Sequence, residues 1–145
     1  MKQQISEIKV SYKPINNRVK ISSSKNVYKT LLSIWSEDTI ELLEEVKILL
    51  LNKANEILGV YHLSKGGVSG AFVDVKLVLS IALKGNASSL ILAHNHPSGN
   101  LKPSQNDIAL TKKVKDGAKL LDLVLLDHLI ITTDSYYSFS DELKL

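Results

Sequence analysis

Two histidines and an aspartate are the residues of this chain whose types and spacing could do chemistry. His94 and His96 stand at the end of the apolar tract SSLILA, and ten residues separate His96 from Asp107. In an extended segment, side chains two positions apart point to the same side. The two imidazoles can therefore converge where the chain leaves a strand. Neutral imidazole is the commonest metal ligand, and a converging pair needs at least a third donor.

Asp107 offers that third donor from the segment SQNDIALTKKVKDGAKLL, which the apolar spacing predicts to be the longest helix. Its apolar stripe consists of Leu110, Val114, Ala118 and Leu121. Three positions before this stripe, Asp107 falls in the first turn on the inward face, where an unpaired carboxylate is costly. A structural alternative stays open, because Ser104-x-x-Asp107 resembles a capping box, worth about 1 kcal/mol. A set of two histidines and one aspartate leaves a fourth position open, which is typical of a catalytic metal.

A general base for a metal-activated water must come from another element, since the chain has no His-Glu-x-x-His motif. The candidates are Glu44 and Glu45, at the head of the predicted strand EEVKILLL. By the strand period, Glu44 shares its face with apolar residues, whereas Glu45 shares its face with Lys47 and is expected to be solvated or paired with it. An acid at the mouth of a buried face is typical of a functional site, so we predict Glu44 as the base. The alternative is a strand-end carboxylate that reaches water.

The remaining elements predict an α/β fold with a mixed β-sheet flanked by helices. EIKVSYK alternates like a short strand, and KNVYKTLLSIW reads as a helix capped by Ser24. Two strands surround a turn at residues 53–55, and DVKLVLSIALKGN is a helix that begins at Asp74 and ends at Gly85. SSLILAH is apolar on both faces, as a central strand should be. LVLLDHLIITTDSYYSF supplies one or two closing strands, and KGGVSGAFV predicts a short strand or bulge. The inward face of the first helix is predicted to hold Val27, Leu31, Ile34 and Trp35.

Composition predicts one globular domain, with 145 residues, 44% hydrophobic and 23% charged. No apolar run approaches the roughly 18–20 residues of a membrane span, and the N-terminus has no apolar signal region. Cysteine is absent, which excludes disulfides, thiolate catalysis and cysteine-based zinc sites. We expect a cytoplasmic protein with no membrane partner.

Positive charge is concentrated at the N-terminus, where residues 1–30 hold six lysines and Arg18 against Glu7, a balance of +6. Such a segment could contact nucleic acid weakly and without sequence preference. The simpler interpretation is a solvated lysine-rich edge. Arg18 is the single arginine of the chain, and arginine is the usual reader of guanine, so sequence-specific DNA recognition is not supported.

Taken together, the glutamate, the His-x-His-Pro motif and the Ser-x-x-Asp motif resemble the JAMM (MPN+) metalloprotease domain. ILAHNHPSGNLKPSQNDIALTKK and LLDLVLLDHLII resemble its RadC-type bacterial branch in particular. The resemblance covers roughly residues 24–142. It implies a three-layer architecture like that of the cytidine deaminases, with an MPN domain over residues 24–145. Residues 1–23 are expected to form a lysine-rich strand and loop, instead of the helical region resembling a helix-hairpin-helix module in longer members.

The same resemblance implies the site's chemistry. Zn²⁺ would be bound by His94, His96 and Asp107, Glu44 would activate the attacking water, and Ser104 would help to hold the oxyanion. The implied activity is that of a metallopeptidase or isopeptidase acting on a peptide or a protein conjugate. One alternative is a RadC-like accessory protein that keeps the fold without catalysis or associates with nucleic acid.

Other chemistries are conceivable for the same residues. A set of two histidines and one carboxylate also serves iron(II) oxygenases, and that class stays open. The HNH nuclease motif is much longer than this triplet, and the zinc deaminases need cysteines. His128 is expected to be a core or supporting residue, and His62 a structural one. The aromatic residues Tyr136, Tyr137 and Phe139 are expected to pack on the sheet, and Gly66, Gly67 and Gly70 suggest a bulge or loop near the cleft.

Overall fold

The computed structural model describes residues 1–66 and 73–145. Three helices and five strands follow in the order α1 (Ser24–Ile34), β1 (Glu45–Leu51), β2 (Ile57–Lys65), α2 (Val75–Lys84), β3 (Ser89–Asn95), α3 (Gln105–Leu120), β4 (Val124–Ile131) and β5 (Tyr136–Ser138). The sheet has the order β2-β1-β3-β4-β5, with β3 and β4 parallel and the other neighbours antiparallel. The predicted mixed α/β sheet is confirmed. Of the segment predicted as a short strand or bulge, residues 67–72 lie outside the described residues.

The sheet is covered on both faces, which produces three layers. Alternate residues of β1 and β3 bury their side chains against α2 and α3 on one face, and the remainder pack with α1 on the other. Every residue of β1 and β3 is therefore buried. Their central residues, 48–51 and 90–93, are continuous apolar runs because neither face meets water.

The helix starts follow local capping chemistry. Asp74 caps α2 by accepting the Lys76 N–H, as predicted. Helix α1 is capped by Ser23 and not by Ser24, because the Ser23 hydroxyl accepts the Asn26 N–H at 3.1 Å. The prediction was wrong by one position in a run of three serines.

Two residues of the predicted helix faces point away from the core. Ile34 is 37% exposed, whereas Trp35, in the extended cap position, turns back to cover the sheet. Leu121 is 41% exposed because α3 ends there, and Asp122 adopts a left-handed conformation that reverses the chain. Leu123 is buried in its place.

The N-terminal segment departs most from the prediction. Residues 7–13 form no strand, and the apolar side chains of Ile8 and Val10 are exposed. Instead of a ladder of backbone hydrogen bonds, the segment contacts β2 through a hydrogen bond from the Tyr12 hydroxyl to the Leu58 carbonyl. The boundary at residue 24 stays a prediction. Among the described helices, none has the length and apolar character needed to cross a membrane.

Candidate metal centre

The end of β3 brings the two histidines together. His94 is buried within the strand, where it pairs with Val46 of β1 and Ile130 of β4. His96 follows the strand, its N–H donates to the Ile131 carbonyl at 3.1 Å, and its ring Nδ1–H donates to the Asn100 carbonyl at 2.6 Å. The Nε2 atoms of His94 and His96 lie 3.0 Å apart. The two rings converge, as their spacing predicts.

Asp107 meets both histidines from the first turn of α3. Its carboxylate oxygens lie 3.2 Å from His94 Nε2 and 3.3 Å from His96 Nε2. The capping box is also formed, since Asp107 accepts the Ser104 N–H at 2.8 Å and Ser104 Oγ accepts the Asp107 N–H at 3.0 Å. The Asp107 carboxylate therefore forms the capping box and also faces the two histidines, so both interpretations of the sequence hold. The cap fixes the side chain in the orientation that points it at the histidines.

The electrostatics of the cluster couple the carboxylate to the imidazoles. Burial alone raises the pKa of Asp107, but its close contacts with the His94 and His96 imidazoles outweigh it and hold that pKa well below its usual range. The hydrogen bond to Asp107 in turn raises the pKa of His96, against the effect of burial. Asp107 is thus held as an anion beside the Nε2 atoms of His94 and His96.

Glu44 completes the cluster from the residue that precedes β1. Its Oε1 lies 3.8 Å from His94 Nε2, and its side chain is largely buried. Donor atoms of Glu44, His94, His96 and Asp107 all lie within 4.8 Å of one another, so the four residues could hold a metal ion.

Glu45 takes the opposite face of the sheet, as the strand period requires. It forms an ion pair with Lys47 at 3.0 Å and accepts a hydrogen bond from Thr39 at 2.9 Å. The predicted pairing with Lys47 is confirmed, but both residues are buried, and the Lys47 ammonium lies 4.5 Å from the centre of the Trp35 ring. Burial raises the pKa of Glu45, and the hydrogen bonds from Lys47 and Thr39 reverse that effect, so the pKa is lowered.

The donor set fits a small divalent cation. Nitrogen and oxygen ligands at roughly 2.0–2.2 Å from a tetrahedral ion lie about 3.3–3.6 Å from one another. The three distances among His94, His96 and Asp107 are 3.0, 3.2 and 3.3 Å. Because His96 Nδ1 donates to a carbonyl, Nε2 is the ring atom that faces the centre of the set, and it would present its lone pair to an ion once its proton is released.

Asn95 is a supporting residue that the sequence did not reveal. It is fully buried, its Oδ1 accepts the Glu45 N–H at 2.7 Å, and its Nδ2 donates to the Ile40 and Leu43 carbonyls at 2.6 and 2.8 Å. These hydrogen bonds hold the backbone in place on both sides of Glu44. Its position between two histidines of a strand was the available signal, since it must face the other side of the sheet.

His128 is confirmed as a supporting residue. It is fully buried on β4, and its Nε2 lies 2.8 Å from His94 Nδ1. The ring of Phe139 stacks on it at 4.8 Å. Burial lowers the pKa of His128 well below its usual value, so the ring is neutral.

The other singled-out residues have structural contacts. His62 is exposed on β2, with its Nδ1 2.8 Å from Lys47 Nζ. Tyr136 stacks on Tyr28, and Tyr137 meets the edge of Phe139, so the predicted packing of these aromatic residues is confirmed. The Gly66 N–H donates to the Glu44 carbonyl, whereas Gly67 and Gly70 lie outside the described residues.

Comparison with known proteins agrees with this architecture. Residues 21–145 match the family model described as the RadC-like JAB domain. The chain belongs to the RadC-like JAB domain family. The domain is 48% identical over 123 residues to a UPF0758 protein of Flavobacterium johnsoniae and 45% identical over 126 residues to one of Porphyromonas gingivalis. A UPF0758 protein of Clostridium beijerinckii is 33% identical over 129 residues.

These alignments cover 85%, 86% and 89% of this chain, but 52%, 54% and 55% of the length of the relatives. The chain thus spans about half the length of the curated relatives it matches. The family membership predicted from the motifs is confirmed, and the names of these relatives assign no reaction.

Proposed function

We propose that this RadC-like JAB domain is a zinc-dependent hydrolase that cleaves an amide bond in a peptide or protein conjugate. His94, His96 and Asp107 would hold the ion, which when bound polarises the substrate carbonyl and makes water nucleophilic at neutral pH. The observation that carries the proposal is the convergence of these three donors with a further carboxylate, that of Glu44, all within 4.8 Å.

Glu44 is the proposed general base. Its carboxylate stands on the same side of the sheet as the three donors, at 3.8 Å from His94 Nε2. From there it accepts a proton from the attacking water and returns it to the leaving amine. Asn95 holds the backbone on both sides of this residue, which keeps the carboxylate in place.

Ser104 is the proposed oxyanion donor. Its Oγ accepts the Asp107 N–H, which leaves the hydroxyl proton to donate, and the side chain stands exposed at the start of α3. Among the described residues, no acceptor for that proton is found. A hydroxyl aimed at the developing negative charge stabilises the tetrahedral state.

The carboxylate and the serine favour hydrolysis over the other interpretations. An iron(II) oxygenase needs the two histidines and the carboxylate, but has no use for a base and an oxyanion donor beside them. A non-catalytic accessory domain has no use for them either.

Replacement of Glu44 tests the proposal. Glu44→Gln is expected to keep the bound zinc and to lower hydrolysis by about 10²–10⁴-fold, the usual contribution of a positioned base. Rates would be measured on a library of peptides and ubiquitin-like conjugates, with the exposed Glu41→Gln of the preceding loop as the matched control. Full activity in Glu44→Gln, or the same loss in Glu41→Gln, would contradict the proposed base.

A further inference from the structure

A chain of hydrogen bonds connects two of the proposed ligands through the protein interior. It runs from the Asp107 carbonyl to Thr111 Oγ1 at 2.7 Å, then to His128 Nδ1 at 2.5 Å, and from His128 Nε2 to His94 Nδ1 at 2.8 Å. Thr111, His128 and His94 are all buried. We call this chain the buried relay.

The direction of each hydrogen bond follows from its first member. The Asp107 carbonyl can only accept, so the single proton of the Thr111 hydroxyl is donated to it. Thr111 Oγ1 must then accept from His128, whose Nδ1 carries the ring proton. Because a charged ring is costly at this fully buried position, Nε2 of His128 carries the lone pair and accepts the proton of His94 Nδ1.

The direction of the relay determines which ring nitrogen of His94 carries the proton. With a proton on Nδ1, His94 keeps Nε2 as the atom available to an ion, and Nε2 lies 3.0 Å from His96 Nε2 and 3.2 Å from Asp107. The opposite direction would place a proton on His94 Nε2 and block it as a ligand. We propose that Thr111 and His128 are positioning residues that fix the His94 tautomer and thereby prepare Nε2 to bind the metal.

Contacts with Phe139 also hold the relay in place. Phe139 stacks on the His128 ring with an interplanar angle of 6°, and the Phe139 N–H donates to the His128 carbonyl at 3.0 Å. The relay begins at the backbone of one proposed ligand and ends at the ring of another, so helix α3 and strand β3 are oriented together. Partners of this kind orient metal-bound histidines and influence metal affinity.

The inference rests on the proposed metal site, and zinc affinity tests it. Thr111→Val, which keeps the shape and removes the hydroxyl, is expected to weaken zinc binding by about 10–100-fold, the usual effect of losing such a partner. Thr111→Ser, which keeps the hydroxyl, should bind like the wild type. The matched control is Thr30→Val, because the Thr30 hydroxyl likewise donates to the carbonyl four residues earlier, at 3.0 Å, but on α1.

A spectroscopic measurement separates positioning from folding. Long-range ¹H–¹⁵N correlation spectra of the metal-free wild type should show a proton on Nδ1 of both His94 and His128. In Thr111→Val, the His128 signals should lose that pattern while the amide spectrum remains that of a folded domain.

The outcomes distinguish the inference from the proposed function. Zinc binding by the wild type with equal affinity in Thr111→Val overturns the relay and leaves the hydrolase proposal standing. A His128 proton on Nε2 overturns the relay as well. A wild type that binds no zinc overturns the metal site itself, and with it the relay's role in preparing His94.

Discussion

The buried pair of Glu45 and Lys47 gives a prediction whose size can be worked out. Glu45→Gln removes the negative charge 3.0 Å from an ammonium that has almost no contact with water. Because Glu45 lies on the face opposite the candidate metal centre, the substitution should lower stability and leave zinc content unchanged. Glu44→Gln, one residue away, is expected to act on hydrolysis instead.

The magnitude follows from the distance and the surroundings. At this separation two unit charges attract by about 5–6 kcal/mol for an effective dielectric constant of about 20. Glutamine still offers an oxygen to Lys47, and the Trp35 ring still faces the ammonium. We expect a net loss of about 3 kcal/mol, at the lower end of the roughly 3–5 kcal/mol for breaking a buried ion pair.

Urea unfolding followed by circular dichroism measures this loss. With a slope of about 1.5–2 kcal/mol/M, the midpoint should fall by about 1.5–2 M. Asp116→Asn is the matched control, because its ion pair with Lys112 is even shorter, at 2.6 Å, but fully exposed, and its midpoint should hardly move.

The pH dependence of the free energy of unfolding tests the stabilising effect of Glu45 independently. The folded-state pKa of Glu45 is lowered, so its contribution to stability is present above the ordinary value of 4.5 and is lost as the pH falls through the lowered pKa. The difference between wild type and Glu45→Gln should therefore shrink in acid. Equal midpoints at neutral pH, or a difference that persists in acid, would refute the reasoning.

Two further predictions concern the backbone clamp and the basic segment. Asn95→Ala leaves the Ile40 and Leu43 carbonyls and the Glu45 N–H without their partner, so the free energy of unfolding should fall by about 3 kcal/mol in urea titrations; a change below about 1 kcal/mol would contradict the clamp. Duplex DNA that binds through residues 1–30 should be released steeply by added salt and should be bound without regard to sequence in titrations by fluorescence anisotropy. A salt-resistant preference for one sequence would overturn that prediction.

The sequence revealed the elements whose pattern is local. Strand β3 was recognisable because both of its faces are apolar, and helix α2 because Asp74 and Gly85 mark its two ends. The strand period separated Glu44 from Glu45 correctly. Two imidazoles two positions apart in a strand, followed by an acid on the inward face of a helix, were enough to locate the cluster.

Features that depend on a distant partner were not recognisable. The alternation of residues 7–13 is that of a strand, but nothing in the segment shows whether a neighbouring strand is free to pair with it. The burial of Lys47 was not recognisable, because the Trp35 ring that covers its ammonium lies outside β1, directly after α1. Thr111 gave no local signal, because its hydrogen bond to His128 joins positions 17 residues apart in the chain.

Zinc content per chain tests the central claim most directly. Elemental analysis of purified wild type should find about one equivalent, and His96→Ala should lose it, because a three-ligand site has then lost one ligand. His62→Ala, which removes an exposed histidine outside the cluster, should keep the full equivalent. Equal zinc content in the wild type and His96→Ala, or loss of zinc in His62→Ala, would contradict the assignment of His94, His96 and Asp107 as the metal site.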